Sequence, residues 1–292
     1  MTQIETLNRQ FSSPGLVFRE GPGGLIRACI ETAACTGTLF LHGAHVTEWT
    51  PSGQKPVLWI SRESLYVAGK PIRGGIPICF PWFGPHPSDS AMPAHGTARI
   101  SEWSLVRVEA TAGDGIALEL QISLEDFRLA YEVTFGRELQ LKMSVTRSVD
   151  GPDAGSCEIA LHTYFAVGDI HSAGISGLEN AQYIDKMDEG ITKPASGEAI
   201  AFANETDRVY INTRDACELI DPVWQRRIIV NKSGSDSTVI WNPWIAKSQR
   251  MPDFGDHEWP GMVCIETANV GPNRMHLMPG ESSDLTVQIA VE

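Results

Sequence analysis

Apolar and polar residues alternate with a period of two along much of this chain. Ile116, Leu118, Leu120 and Ile122 alternate with Ala117, Glu119 and Gln121, and Leu139, Leu141, Met143 and Val145 alternate with mostly polar neighbours. Leu285, Val287, Ile289 and Val291 close the chain in the same way. Successive side chains of a strand point to opposite faces, so each run predicts a half-buried strand with one face on a core and one in water. Short breaks separate the runs: Gly113-Asp114-Gly115, Glu125-Asp126, Gly136-Arg137 and Ser233-Gly234-Ser235-Asp236. Such spacing predicts antiparallel hairpins rather than helical crossovers. Convincing amphipathic helices are almost absent. The predicted fold class is therefore all-β, with stacked antiparallel sheets.

The 18 prolines and 27 glycines, spread evenly, fit many turns and long loops. Hydrophobic residues make up 42% and charged residues 20% of the 292 positions, which excludes a disordered chain. With no low-complexity linker, composition shift or internal repeat, residues 1–292 are expected to form a single domain. The six cysteines are scattered without a CxxC pair, and four sit in or beside apolar runs, so they are expected as buried reduced thiols. Met1-Thr2-Gln3-Ile4-Glu5 lacks a basic segment followed by an apolar one, and no apolar run approaches the ~18 residues of a membrane span. A soluble, cytoplasmic protein with no membrane partner is expected.

The formal net charge is −13. A nucleic-acid binder would show a basic stripe, and none is present. An anionic small molecule remains possible only with a local basic pocket, which makes any arginine near the chemistry informative.

The longest irregular stretch runs over residues 67–99, and a loop of that length in a compact domain is usually functional. It contains Arg73-Gly74-Gly75-Ile76-Pro77-Ile78-Cys79-Phe80-Pro81-Trp82-Phe83-Gly84 and then Pro93-Ala94-His95-Gly96-Thr97-Ala98-Arg99. Paired glycines let the backbone approach a ligand closely. Phe80, Trp82 and Phe83 offer an apolar wall for a sugar face, and arginine's planar fork suits phosphate. Equally, these arginines could pair with some of the 36 acidic side chains in a purely structural loop.

Further along, Ile159-Ala160-Leu161-His162-Thr163-Tyr164-Phe165 embeds a histidine in an apolar strand, where a core histidine is the commoner explanation. Met262-Val263-Cys264-Ile265-Glu266-Thr267-Ala268-Asn269 places a carboxylate at the end of an apolar strand, which is costly without a partner or a function. Glu205-Thr206-Asp207-Arg208-Val209-Tyr210 offers an aspartate in a polar turn leading into a strand. Ile240-Trp241-Asn242-Pro243-Trp244 offers rings suited to stacking on sugars.

Together these pieces, with Gly43-Ala44-His45-Val46-Thr47-Glu48-Trp49 before them and Pro279-Gly280-Glu281 after, resemble the aldose 1-epimerase (mutarotase) superfamily in order along most of the chain. The resemblance is to its glucose-6-phosphate 1-epimerase branch. It implies a large antiparallel β-sandwich with few short helices and an active site in a cleft on one sheet face. It implies cofactor-independent, metal-free exchange of the α and β anomers of a hexose 6-phosphate by a monomer. It further implies roles: His162 as general acid and Glu266 as general base, with His95 and Asp207 binding substrate and Arg73 and Arg99 holding the phosphate; Phe80 and Trp241 join the expected substrate contacts as aromatic surfaces for the sugar. Ala94 and Thr97 depart from the glutamine and phenylalanine common among relatives, at the edge of the site. Three competing readings remain: an epimerase for an unphosphorylated hexose, a non-catalytic sugar-binding sandwich, and a glycoside hydrolase or lyase using Glu266 with Asp207.

Overall fold

The structure is a computed structural model that describes residues 1–150 and 155–292. The alternating runs form strands with alternating burial. Gly115–Leu124 pairs with Phe127–Phe135 through the two-residue turn Glu125-Asp126, and Phe135 then pairs with Leu139 at the start of Leu139–Arg147. Leu118, Leu120, Leu129, Tyr131, Leu141 and Met143 are buried, while Glu119, Gln121 and Glu132 are not. The period-two pattern thus assigns the core face before any tertiary contact is considered.

Among the described residues these strands belong to a nine-stranded sheet that runs, in spatial order, from Ile200–Ala201 to Ser104–Thr111. An eight-stranded sheet is centred on Ser237–Asn242 and Met262–Asn269, and a four-stranded sheet is formed by Leu16–Glu20, Ile26–Glu31, Cys35–Phe40 and His45–Pro51. The strand pairs within the sheets are antiparallel. One continuous apolar cluster draws Leu118 and Tyr131 from the first sheet, Ile78 and Ile265 from the second, and Leu39 and Val46 from the third. The all-β, stacked-sheet expectation holds.

One expected hairpin does not form. Arg226–Ser233 lies in the nine-stranded sheet and Ser237–Asn242 in the eight-stranded one, so the Ser233–Asp236 break is a crossover between sheets. Its polar groups explain why. Ser235 is fully buried and its hydroxyl donates to the Ala268 carbonyl, while the Asp236 N–H donates to Asn269 Oδ1. The break is fastened to the neighbouring strand of the second sheet rather than back onto the first.

Two short helices escape the hydrophobic pattern. Gln3–Gln10 is capped by Thr2, whose hydroxyl accepts from the Glu5 N–H while Glu5 accepts from the Thr2 N–H. That Thr-x-x-Glu capping box is legible in the sequence, although the helix buries no residue fully. Trp244–Ser248 forms a single turn after Pro243. Among the described residues no helix is long and apolar enough to cross a membrane. The six cysteines carry no disulfide, and five of them are buried.

Candidate active site

The site is built on one face of the eight-stranded sheet, and strand register assembles it. Ile159–Leu161 and Tyr164–Ala166 both pair with Met262–Asn269, with Leu161 opposite Thr267 and Tyr164 opposite Cys264. The same register carried across the gap sets His162 opposite Glu266. The ladder is interrupted there because the Thr163 N–H turns back to the Leu161 carbonyl instead of crossing to Ile265, while the His162 N–H donates to the Pro77 carbonyl on the other side. Directly opposite positions bring side chains together on one face, and His162 Nε2 lies 3.3 Å from Glu266 Oε1. Glu266 is mid-strand rather than at a strand end, and the histidine occupies a break rather than a continuous strand. The adjacent row on the same face reads Tyr164, Cys264, Trp241 and Asp207, since Trp241 faces both Cys264 and Asp207.

Burial gives the pair its chemistry. His162 is 6% and Glu266 is 1% exposed. Burial pushes the Glu266 carboxyl well above the usual carboxylate range, with Asp207 adding to the rise and Lys186 and Arg99 opposing it. Burial also pushes the His162 imidazole well below its ordinary value, reinforced by His95, Arg99 and Arg73. Both effects favour a proton on the carboxyl and a neutral ring, across a contact short enough for that proton to move.

A cleft of about 390 Å³ opens over these rows, lined by Arg73, His95, Arg99, His162, Asp207, Trp241 and Glu266. Seven of the eight residues proposed from the sequence therefore meet in one place. Three of them carry buried polar atoms without a partner: His162 Nδ1, Glu266 Oε2 and Arg99 Nε. A larger cavity of about 600 Å³ beside Lys232 and Arg274 has no such orphaned atom among its lining residues. Buried polar groups are normally satisfied, so the three orphans single out the smaller cleft as the place where a polar ligand belongs.

The sequence of residues 28–290 matches the family model described as aldose 1-epimerase. The chain belongs to the aldose 1-epimerase family. A relative from Cenchrus ciliaris, named "Putative glucose-6-phosphate 1-epimerase", is 32% identical over 288 residues, spanning 93% of this chain and 86% of its own. One of the same name from Escherichia coli K12 is 36% identical over 231 residues, covering 78% of each chain. The crystal structure of a "putative mutarotase" from Salmonella typhimurium superposes with a TM-score of 0.88 at 28% identity, covering 96% of this chain and 94% of its own.

The basic residues that line the cleft are not equivalent. Arg73 makes a two-pronged ion pair with Asp253, at 3.0 Å, and donates to the Tyr164 hydroxyl at 3.0 Å. Its charge is already matched. Arg99 is buried and donates to the Ala94 carbonyl at 2.7 Å, with no carboxylate partner among the described residues. Burial lowers its pKa, because the cation is held away from water. Ala94 lines the cleft, whereas Thr97 does not, so only the first of the two departures from common family residues borders the site.

His95 reaches the cleft through a left-handed backbone, φ 64°, and its Nδ1 accepts from the Gly84 N–H. That bond places the ring proton on Nε2, leaving a donor free. Gly96 beside it admits no side chain, because a Cβ would lie 1.9 Å from the Phe80 carbonyl oxygen.

Two expectations need correction. Phe80 is fully buried and packs edge-on against Phe127 at 5.4 Å, so it is core and does not line the cleft; Trp82, with its indole N–H on the Pro93 carbonyl, does not line it either. Phe83 alone of the three reaches the cleft. The alternation within the loop decides this, turning Phe80 toward the sheets. Phe80→Ala is accordingly expected to cost about 3–5 kcal/mol of stability, as large-to-small core changes do; a denaturant titration measures it, and a loss below ~1 kcal/mol would remove Phe80 from the core. The Gly74-Gly75 pair likewise serves protein rather than ligand: Cβ atoms there would meet the Trp59 and Val46 carbonyl oxygens at 2.3 Å.

Sequence reading missed four contributors. Tyr164 stacks on His162 with ring centroids 4.8 Å apart, and Asp253 anchors Arg73. Lys186 and Lys247 line the cleft on either side of Asp207, at 3.7 Å and 3.8 Å from its carboxylate. Lys186 also lies over the Phe83 ring and Lys247 over Trp241. Nothing near Lys186 or Lys247 in sequence marks them, since only the fold brings them to Asp207.

Proposed function

We propose that this chain interconverts the α and β anomers of a hexose 6-phosphate, glucose 6-phosphate foremost, by general acid–base catalysis without a cofactor. The observation that carries the reading is the buried imidazole–carboxylate pair under a cleft with four cationic side chains, Arg73, Arg99, Lys186 and Lys247. The names borne by the Cenchrus ciliaris and Escherichia coli relatives point to the same substrate.

Anomer exchange opens a hemiacetal. A base takes the C1 hydroxyl proton while an acid protonates the ring oxygen; the aldehyde turns about C1–C2 and recloses on either face. In this reading Glu266 takes the hydroxyl proton and His162 supplies the ring-oxygen proton, and the two exchange roles on closure. The reaction begins and ends with one proton on the pair. The opposing shifts rest that single proton on Glu266, and its passage across the 3.3 Å contact to His162 readies the carboxylate as base and the imidazolium as acid. Asp207, His95 and Trp241 hold the sugar hydroxyls and face, and Arg99 receives the phosphate as its missing counter-ion. The Lys186 and Lys247 ammonium groups lower the cost of bringing a dianion to a protein of net charge −13.

A second reading, an unphosphorylated hexose as substrate, draws on one observation. Arg73 and Lys247 already have carboxylate partners in Asp253 and Glu205, which leaves fewer free cations than the lining suggests. Magnetisation-exchange NMR on glucose 6-phosphate, glucose and galactose separates the two. We expect faster anomer exchange on the phosphorylated sugar, undiminished by EDTA. A preference for free hexoses would install the second reading, activity lost to chelation and restored by a metal would overturn the cofactor-free mechanism, and binding without exchange would leave a sugar-binding module.

A further inference from the structure

The row beneath the acid–base pair contains a residue that the proposed reaction does not use. Cys264 stands two positions before Glu266 on the same strand and therefore on the same face, and it is fully buried beside the cleft floor. One ligating atom each from His162, Cys264 and Glu266 lies within 4.8 Å of the others. A histidine nitrogen, a cysteine sulfur and a carboxylate oxygen make a three-ligand set suited to a borderline-soft dication such as Zn²⁺, with a fourth position left open. Metal–ligand bonds of about 2.0–2.3 Å put the ligands of a tetrahedral site roughly 3.3–3.8 Å apart, so a small inward shift of side chains closes the set. Glu266 Oε2 and His162 Nδ1 have no hydrogen-bond partner to give up on such a shift.

We propose that this cluster is an inhibitory site for thiophilic divalent cations, Zn²⁺ and Cd²⁺, which lock the acid–base pair by coordinating it. Three bonds form to the ion and two protons go to solvent: one from the Cys264 thiol, which binds as thiolate, and the one held by the His162–Glu266 pair, which binds as neutral imidazole and carboxylate. The ion is an inhibitor and not a cofactor, because it occupies the nitrogen and oxygen that must exchange protons with the sugar. Arg99, Arg73 and Lys186 oppose a dication electrostatically, so the expected affinity is about micromolar, well short of dedicated structural zinc sites. A bound sugar phosphate covers the pair and protects against the ion.

The binding claim stands on geometry; the inhibition claim rests on the proposed anomer exchange. Two readouts keep them apart. EDTA-treated protein is titrated with Cd²⁺ while the thiolate-to-metal charge-transfer absorption is followed, in wild type, Cys264→Ser and Cys264→Ala, with circular dichroism confirming fold. A band in wild type that is absent from whichever Cys264 variant folds supports the site. No band in wild type, or one retained in a folded variant and thus owed to another cysteine, overturns it. In parallel, Zn²⁺ should slow anomer exchange by the wild type ~10-fold or more at concentrations that leave Cys264→Ser unaffected, as expected for losing one ligand. Equal sensitivity in both would overturn the inhibition. A wild type with no anomer exchange on any hexose would sink the proposed function instead, and the Cd²⁺ band would still decide the metal site.

Discussion

His162→Ala and Glu266→Gln should each lower kcat for anomer exchange by about 10²-fold or more while leaving the protein folded, because each removes one positioned proton-transfer group. The two losses should not multiply in the double variant, since one proton shared by the pair is useless to either partner alone. Stopped-flow polarimetry with thermal melting checks this. An alanine variant that melts early yet keeps its turnover per folded molecule would make His162 a core histidine.

The same pair sets the pH profile. Activity requires one proton on the pair, so it falls at low pH when a second proton binds and at high pH when the first is lost. The His162 imidazole is pushed well below its ordinary value by burial, which moves the acid limb below the ~6.5 of a free histidine. The Glu266 carboxyl is pushed well up by burial, which moves the alkaline limb far above the ~4.3 of a free glutamate. A plateau is expected between the two limbs, and both limbs belong to the pair. An acid limb at or above pH ~6.5 would contradict the neutral, buried imidazole.

The second large effect is at Arg99. A charge-assisted hydrogen bond is worth about 1.5–3 kcal/mol, so Arg99→Ala should cost roughly 10- to 150-fold in kcat/KM on glucose 6-phosphate. The loss on free glucose should be far smaller, since a neutral sugar offers no anion. Arg73→Ala behaves differently. It leaves Asp253 as a buried unpaired carboxylate and frees the Tyr164 ring that stacks on His162, so losses on the two sugars should be similar. Measuring both variants on both substrates tests the assignment. Equal losses for Arg99→Ala on both sugars would mean that it shapes the loop through the Ala94 carbonyl, and the phosphate would have to be held elsewhere.

Strand faces were determined locally. The alternation in Gly115–Leu124 and Leu139–Arg147 states which side chains are buried, because a strand has only two faces. By the same rule Cys264 and Glu266 share a face, as do His162 and Tyr164. What no local rule states is that these two strands are neighbours in a register that sets His162 opposite Glu266. That pairing joins positions about a hundred residues apart, and a slip of one residue would have turned one of them into the core. The Ser233–Asp236 turn shows the same limit: its sequence suits a hairpin, but burial of Ser235 against Ala268 sends the chain to the other sheet. Charge was the least legible layer. Arg73 and Arg99 look alike in sequence, and only Asp253, 180 residues from Arg73, separates a cation already neutralised from one still without its counter-ion.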